Sequence, residues 1–318
     1  MAGRGRRLTG VVLASLRLAK LPLCLLVGLS ALFGAMVAGG APDRAAIASV
    51  IGVLLAACGA ASLNSLQEKE LDGAMRRTRE RPLPRGEVGA LFAGVQAGFL
   101  LLLALGLLFS GESQSATLLT ATAVLLYNGV YTPLKRTTSL AIVPGLLAGA
   151  LPPYIGWLAG GGEPLAFAAV LLIALLLLWQ VPHVHLILLD NREDYRRGPL
   201  PTLLTILSAA GLRRLLLPWV GALACLMMMF AVLPLAMPPA CRVAIVANAV
   251  LLPLVLLTLA ARTREGRYRS LFMVLNLFLL LHMGVVAVGR VAALPQPGTA
   301  NSTMEESMQI DWAYLRKN

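Results

Sequence analysis

The chain has 318 residues, 58 % of them hydrophobic and only 13 % charged, with a formal net charge of +12. A soluble chain carries about 25 % charged residues; this much apolar surface, at a mean hydropathy of +0.78, excludes an ordinary cytosolic enzyme, a disordered chain and a disulfide-rich secreted scaffold. It also excludes a nucleic-acid reading of the charge, because the basic residues fall in short loops between apolar runs, the pattern of a polytopic membrane protein.

Residues 1–20 form a basic N-terminal segment with Arg4, Arg6, Arg7, Arg17 and Lys20. No small-residue cleavage site follows, so this segment does not read as a signal peptide. A span needs about 20 mostly apolar residues, and nine candidates follow in order. They are Leu21 to Gly40, Ala45 to Leu63, Val88 to Phe109, Ala116 to Tyr131, Leu140 to Leu158, Leu165 to Leu189, Leu215 to Leu235, Val243 to Ala261 and Leu271 to Val288. The expected fold is an all-α bundle of nine transmembrane helices over residues 21–292. A polar, flexible C-terminal tail over 293–318 is expected after it.

Twenty-two Lys and Arg lie in the N-terminal segment and the loops after the second, fourth, sixth and eighth spans, against five on the other side. That bias puts the N-terminus in the cytoplasm and, with nine spans, the C-terminus outside. The two long charged loops, Asn64 to Glu87 and Asp190 to Arg214, follow the second and sixth spans, a spacing consistent with two similar halves. The four cysteines have no metal-ligand spacing and read as small core residues.

In the first charged loop, Asn64, Glu68 and Asp72 recur every four residues, so a helix puts them on one face. Two carboxylates at that spacing repel and call for a cation between them. Mg²⁺ fits, since it takes one or two carboxylates plus substrate phosphates; the alternative is a solvated helix end. Arg77 and Arg81 follow, either as phosphate ligands or as topology-setting charges that meet anionic lipid headgroups of the bilayer. The same two readings apply to Lys135 and Arg136 after the fourth span. In the second charged segment, Asp190 and Asp194 repeat the i, i+4 acidic pair. His183 lies seven residues before Asp190, about two turns deeper on that face and beside Pro182; it reads either as a ligand or acid/base group or as a satisfied core histidine. His185 and His282 read as packing residues. The run from Gly149 to Pro153 permits either close helix packing or a broken helix lining a cavity.

Acidic pairs and arginines beside an apolar bundle suit a substrate with a diphosphate head and a long hydrocarbon tail, and the reaction class is prenyl transfer. The motif Asn64-x₃-Glu68-x₃-Asp72, followed by Arg77, Arg81, Pro82 and Gly86, resembles the first signature of the UbiA-type intramembrane prenyltransferases. The blocks from Tyr131 to Thr138, Gly149 to Trp157, Trp179-Gln180-x-Pro182-His183 and Asp194-Tyr195 narrow the resemblance to the protoheme IX farnesyltransferases (heme O synthases). Val184, Ala141 and Gly198 to Thr202 depart from that pattern, which bears on the acceptor more than on the fold.

The resemblance implies a nine-helix bundle in the bacterial inner membrane, with its active site on the cytoplasmic side. It implies farnesyl diphosphate held through Mg²⁺ by Asn64, Glu68, Asp72, Asp190 and Asp194, and directly by Arg77, Arg81, Lys135 and Arg136. The acceptor it implies is heme b, handled by His183. A heme A synthase or a terminal-oxidase assembly factor is the candidate protein partner. Two rivals stand beside this reading: an aromatic prenyltransferase of quinone synthesis, and a nonenzymatic membrane transporter or assembly factor.

Overall fold

The computed structural model describes residues 2–110, 114–262 and 268–294. Among them there are helices and turns and no strand. Helix α1 (Ala2–Leu18) precedes α2 (Leu21–Gly39), α3 (Arg44–Gln67), the short α4 (Lys69–Ala74) and α5 (Ala90–Ser110). Next come α6 (Gln114–Val124), a π-helical stretch (Leu125–Tyr131), α7 (Thr132–Leu134) and α8 (Ile142–Ala159). The chain continues through α9 (Phe167–Asp190), α10 (Arg192–Arg197), α11 (Ala209–Val232), α12 (Pro239–Arg262) and α13 (Arg269–Ala292).

Eight helices among the described residues are long and apolar enough to cross a bilayer, and they match eight of the nine expected spans. The expected span from Ala116 to Tyr131 is different, because the π stretch divides it. There Thr132 N donates to Tyr127 O, five residues back. Pro133 next to it has no N–H to continue a regular ladder. The tail from residue 295 onward lies outside the described residues.

The long helices form a ring. Helix α2 packs on α3 and α8, α3 on α5, α9 on α8 and α11, α12 between α11 and α13, and α13 returns to α9 and α2. Leu172, Leu175, Met227, Phe230, Ile245 and Leu275 fill the largest core. The outer surface stays apolar: Leu91, Leu102 and Phe109 on α5 are each more than 70 % exposed, as lipid-facing residues are. Cys24 and Cys58 are buried as expected, but Cys225 is exposed on α11.

Helix α8 is continuous across Pro152 and Pro153, so the Gly149 to Pro153 run serves close packing and does not break the helix. Gly34 of α2 faces the Pro153 carbonyl and Gly156 of α8 faces the Ala31 carbonyl, leaving no room for a Cβ at either glycine. On the face away from the charged loops, Arg242 donates to the carbonyls of Ala231, in the last turn of α11, and of Leu233 and Leu235 just beyond it. Arg290 donates to those of Val37 and Ala38 at the end of α2. Helix C-termini leave carbonyls without partners, so these arginines have structural work on the side with few basic residues.

Gly156→Val is expected to destabilise the bundle by about 1–3 kcal/mol or more, the cost of overpacking a filled contact. Thermal unfolding in detergent measures it, and an unchanged midpoint would mean that α2 and α8 can separate.

Candidate active site

The polar face is built from helix ends. Glu68 N donates to Asn64 O at 3.0 Å and Asp72 N to Glu68 O at 2.7 Å. The helical ladder therefore crosses the break between α3 and α4, and Asn64, Glu68 and Asp72 stay on one side. All three are buried, 2 %, 4 % and 4 % exposed. Buried carboxylates need partners. Lys135, just past α7, ion-pairs with Glu68. Arg81 Nη1 donates to both oxygens of Asp72, at 2.8 and 2.7 Å. Lys20 Nζ donates to Asn64 Oδ1 at 2.7 Å.

Sequence reasoning missed Lys20, which reads there as one of the basic residues before the first span. It is the single non-glycine residue at positive φ among the described residues, at φ 52° and ψ 44°. That conformation costs roughly 1–2 kcal/mol and turns the chain from α1 into α2. Burial, with the Arg81 guanidinium close by, pushes the Lys20 ammonium down from 10.5 to about 8, while Glu68 and Asp72 pull the other way. The available signal was the placement of Lys20 two residues before Pro22 at the head of α2; its partner Asn64 is 44 residues away.

The π stretch completes this side. Asn128 Nδ2 donates to Ala60 O at 3.0 Å and to Gln67 Oε1 at 3.1 Å, while Gln67 Nε2 donates to Asn128 O at 3.1 Å. The Thr132 hydroxyl donates to Tyr127 O at 2.8 Å and accepts from Asn64 Nδ2 at 3.1 Å. π-Bulges inside helices frequently lie at functional sites.

The second acidic pair also sits at a helix break. Asp190 ends α9, and its Oδ1 accepts from Tyr268 N at 2.9 Å. Asp194, in α10, accepts from the amides of Arg76 and Arg77 at 3.0 and 3.1 Å. Both acidic motifs thus clasp the same loop: Asp194 holds its start, Asp72 its end through Arg81, and the Thr78 hydroxyl donates to Asp72 O at 2.9 Å. The loop is a series of turns, so Arg77 and Arg81 do not share a helix face. Arg77 instead lies over the Tyr195 ring, 5.9 Å from its centroid. With Arg76, Arg79, Arg192, Arg197, Asp190 and Asp194 it lines an open cavity of about 550 Å³. Arg136 donates to the Gln67 carbonyl at the end of α3.

Among the described residues no group of three or more His, Cys, Asp or Glu side chains is gathered as a metal cluster. The two carboxylate pairs are nevertheless all-oxygen donors, and one of them, Asp190 with Asp194, lines the Arg-rich cavity. That chemistry fits a hard dication that takes one or two carboxylates and completes its shell with water and substrate phosphate.

Deeper in the bundle, His183 is flanked by Trp179 (4.4 Å between centroids) and Phe272 (4.6 Å). Its Nδ1 lies 3.2 Å from Asn276 Oδ1. The Trp179 indole N–H is buried without an acceptor. Gln180 donates to Leu146 O and Leu176 O at 3.1 and 3.0 Å, and Gly149 leaves the space that its amide fills. His185 and His282 are buried, His282 edge-on to Phe230, which agrees with a packing role.

Residues 27–281 match the model of the UbiA prenyltransferase family. A protein of Geobacter sulfurreducens named protoheme IX farnesyltransferase is 37 % identical over 240 residues, 69 % of this chain and 86 % of that one. Its namesake in Nitratidesulfovibrio vulgaris strain DP4 is 36 % identical over 211 residues, 66 % of this chain and 74 % of that one. Solved structures share the fold at low identity. A UbiA homologue from Archaeoglobus fulgidus, bound to GPP and Mg²⁺, superposes with a TM-score of 0.64 at 15 % identity, over 86 % of this chain and 99 % of that one. The apo form of a homologue from Aeropyrum pernix gives 0.68 at 18 %, over 84 % and 98 %.

The buried pairing carries a stability test. Lys135→Met leaves the Glu68 carboxylate without its cation, which is expected to cost about 3–5 kcal/mol in metal-free buffer. Adding Glu68→Gln is expected to recover most of that loss. A single variant as stable as wild type would show that Lys135 is not the partner that neutralises Glu68.

Proposed function

The chain belongs to the UbiA prenyltransferase family, and on that premise we propose that it moves a farnesyl group from farnesyl diphosphate to a vinyl group of heme b, giving heme O. The observation that carries the reading is the clasping of one Arg-rich loop by both acidic motifs, above a bundle whose interior presents His183 between two aromatic rings. The names of the relatives support the acceptor.

Residues 114–134, at 1.5 Å per residue, reach about 30 Å, enough for a ninth crossing. The 22 basic residues on the charged side put that side in the cytoplasm. Nine crossings then leave the C-terminus outside, and the membrane is the bacterial inner membrane.

Glu68, Asp72, Asp190 and Asp194 would hold Mg²⁺, with Asn64 beside them. When bound, Mg²⁺ supplies charge neutralisation for the departing diphosphate. Arg77, Arg81, Lys135 and Arg136 donate to diphosphate oxygens, and Lys20 keeps Asn64 oriented. The C1–O bond of farnesyl diphosphate breaks with its electron pair leaving on oxygen. The terminal vinyl carbon of heme b bonds to C1, and the adjacent carbon, now cationic, takes the oxygen of one water and releases a proton. The product carries a hydroxyethylfarnesyl chain. The apolar walls exclude other water from the allylic cation. A heme A synthase or terminal-oxidase assembly factor is the downstream partner such a product implies.

Purified protein incubated with heme b, farnesyl diphosphate and Mg²⁺ is expected to give a heme heavier by one farnesyl group plus one hydroxyl group in mass spectrometry. Unmodified heme, with diphosphate released once a quinone-ring precursor is supplied, would move the assignment to aromatic prenyl transfer. Asp72→Asn is expected to lower kcat by at least about 100-fold, as loss of a charge-stabilising group does. Arg77→Ala is expected to raise KM for farnesyl diphosphate, and an unchanged KM would remove Arg77 from the diphosphate site.

A further inference from the structure

We propose that Asn276 is a positioning residue that fixes the tautomer of His183, so that Nε2 is the nitrogen presented to the iron of the heme substrate. The inference rests on the heme reading and adds a residue that no motif in the sequence marks. Asn276 lies on α13 and His183 on α9, 93 positions apart and each seven residues from its helix's charged-face end.

A chain of hydrogen bonds with one self-consistent direction sets the tautomer. Asn276 Nδ2 donates to the Phe272 carbonyl at 2.6 Å, four residues back on the same helix. Flipping the amide would put its oxygen against that carbonyl oxygen, so the bond settles which amide atom faces α9. Asn276 Oδ1 therefore faces His183 Nδ1, 3.2 Å away. An amide oxygen only accepts, so Nδ1 carries the proton. A neutral imidazole protonated at Nδ1 has its lone pair at Nε2.

Among the described residues Nε2 makes no hydrogen bond, yet it is not among the atoms sealed from solvent without a partner, as both nitrogens of His282 are. The rings of Trp179 and Phe272 flank the imidazole, and turning it over would forfeit the Asn276 bond. The result is the arrangement of a metal-binding histidine: one nitrogen donates to a fixed oxygen, which sets the tautomer and raises the basicity of the other. Of the two histidines of α9, it is His183 that a side-chain oxygen from another helix holds.

The test uses the full-length protein in detergent, titrated with heme b without farnesyl diphosphate and followed by optical and resonance Raman spectroscopy. Wild type is expected to give a histidine-ligated heme spectrum that His183→Ala loses. Asn276→Leu, which removes the acceptor, is expected to weaken heme binding by about 10–100-fold, the usual effect of losing such an outer partner, and to lose or weaken the histidine signature. Asn276→Asp is nearly isosteric and keeps an oxygen acceptor. It is expected to retain ligation and to raise the iron–histidine stretching frequency of the ferrous form, because a carboxylate makes the ring more basic.

A wild-type spectrum and affinity in folded Asn276→Leu would overturn the proposal, and so would an unchanged stretching frequency in Asn276→Asp. An unaltered spectrum in His183→Ala would assign the ligand elsewhere and overturn it too, while farnesylated heme made by the wild type would leave the functional reading intact. A folded wild type that neither binds nor modifies heme b would defeat the functional reading itself, and the inference with it.

Discussion

A carboxylate buried in a helical bundle that faces lipid must be neutralised, and much of the polar face follows from that requirement. Glu68 and Asp72 are almost wholly buried at the junction of α3 and α4. An unpaired charge there would cost several kcal/mol. The cations that answer it come from elsewhere in the chain: Lys135 beyond α7 and Arg81 from the loop after α4. Lys20, between α1 and α2, completes the group through Asn64. Meeting the electrostatic demand of two carboxylates therefore pulls separate segments into one site.

The irregular backbone gathers with them. The αL turn at Lys20, the break at Glu68, the π stretch before Thr132 and the break at Asn191 all lie at or beside residues that make polar contacts on this face. The long apolar bodies of the helices stay regular, and even Pro152 and Pro153 leave α8 continuous. Hydrocarbon offers a freed amide or carbonyl no partner. Distortion is affordable where side chains such as Asn128, Gln67 and Thr132 can satisfy the backbone groups it releases.

This division suits an amphiphilic substrate. Charge sits at the mouth, where the Arg-lined cavity opens, and the imidazole of His183 waits deeper, among Trp179, Phe272 and Asn276. A diphosphate head and an apolar tail would be sorted by the same gradient that orders the protein. The arginines of the opposite face, Arg242 and Arg290, are occupied with helix-end carbonyls.

Composition and hydropathy by themselves determined that the chain crosses a membrane many times, because the length of an apolar run and the cost of leaving it in water need no knowledge of neighbours. Spacing by itself placed Asn64, Glu68 and Asp72 on one side of a helix end, because the 3.6-residue period is local. Only the tertiary structure decided which cation answers which carboxylate, that Arg77 and Arg81 part company along a loop, that α8 is a packing helix, and that Lys20 and Asn276 join the polar network. Those depend on contacts between residues 9 to 125 positions apart, and no local period or propensity carries that information. The π stretch was hidden for a related reason: it is recognised by the backbone bond from Thr132 N to Tyr127 O, while the side chains that accompany it, Asn128 and Thr132, find their partners on α3.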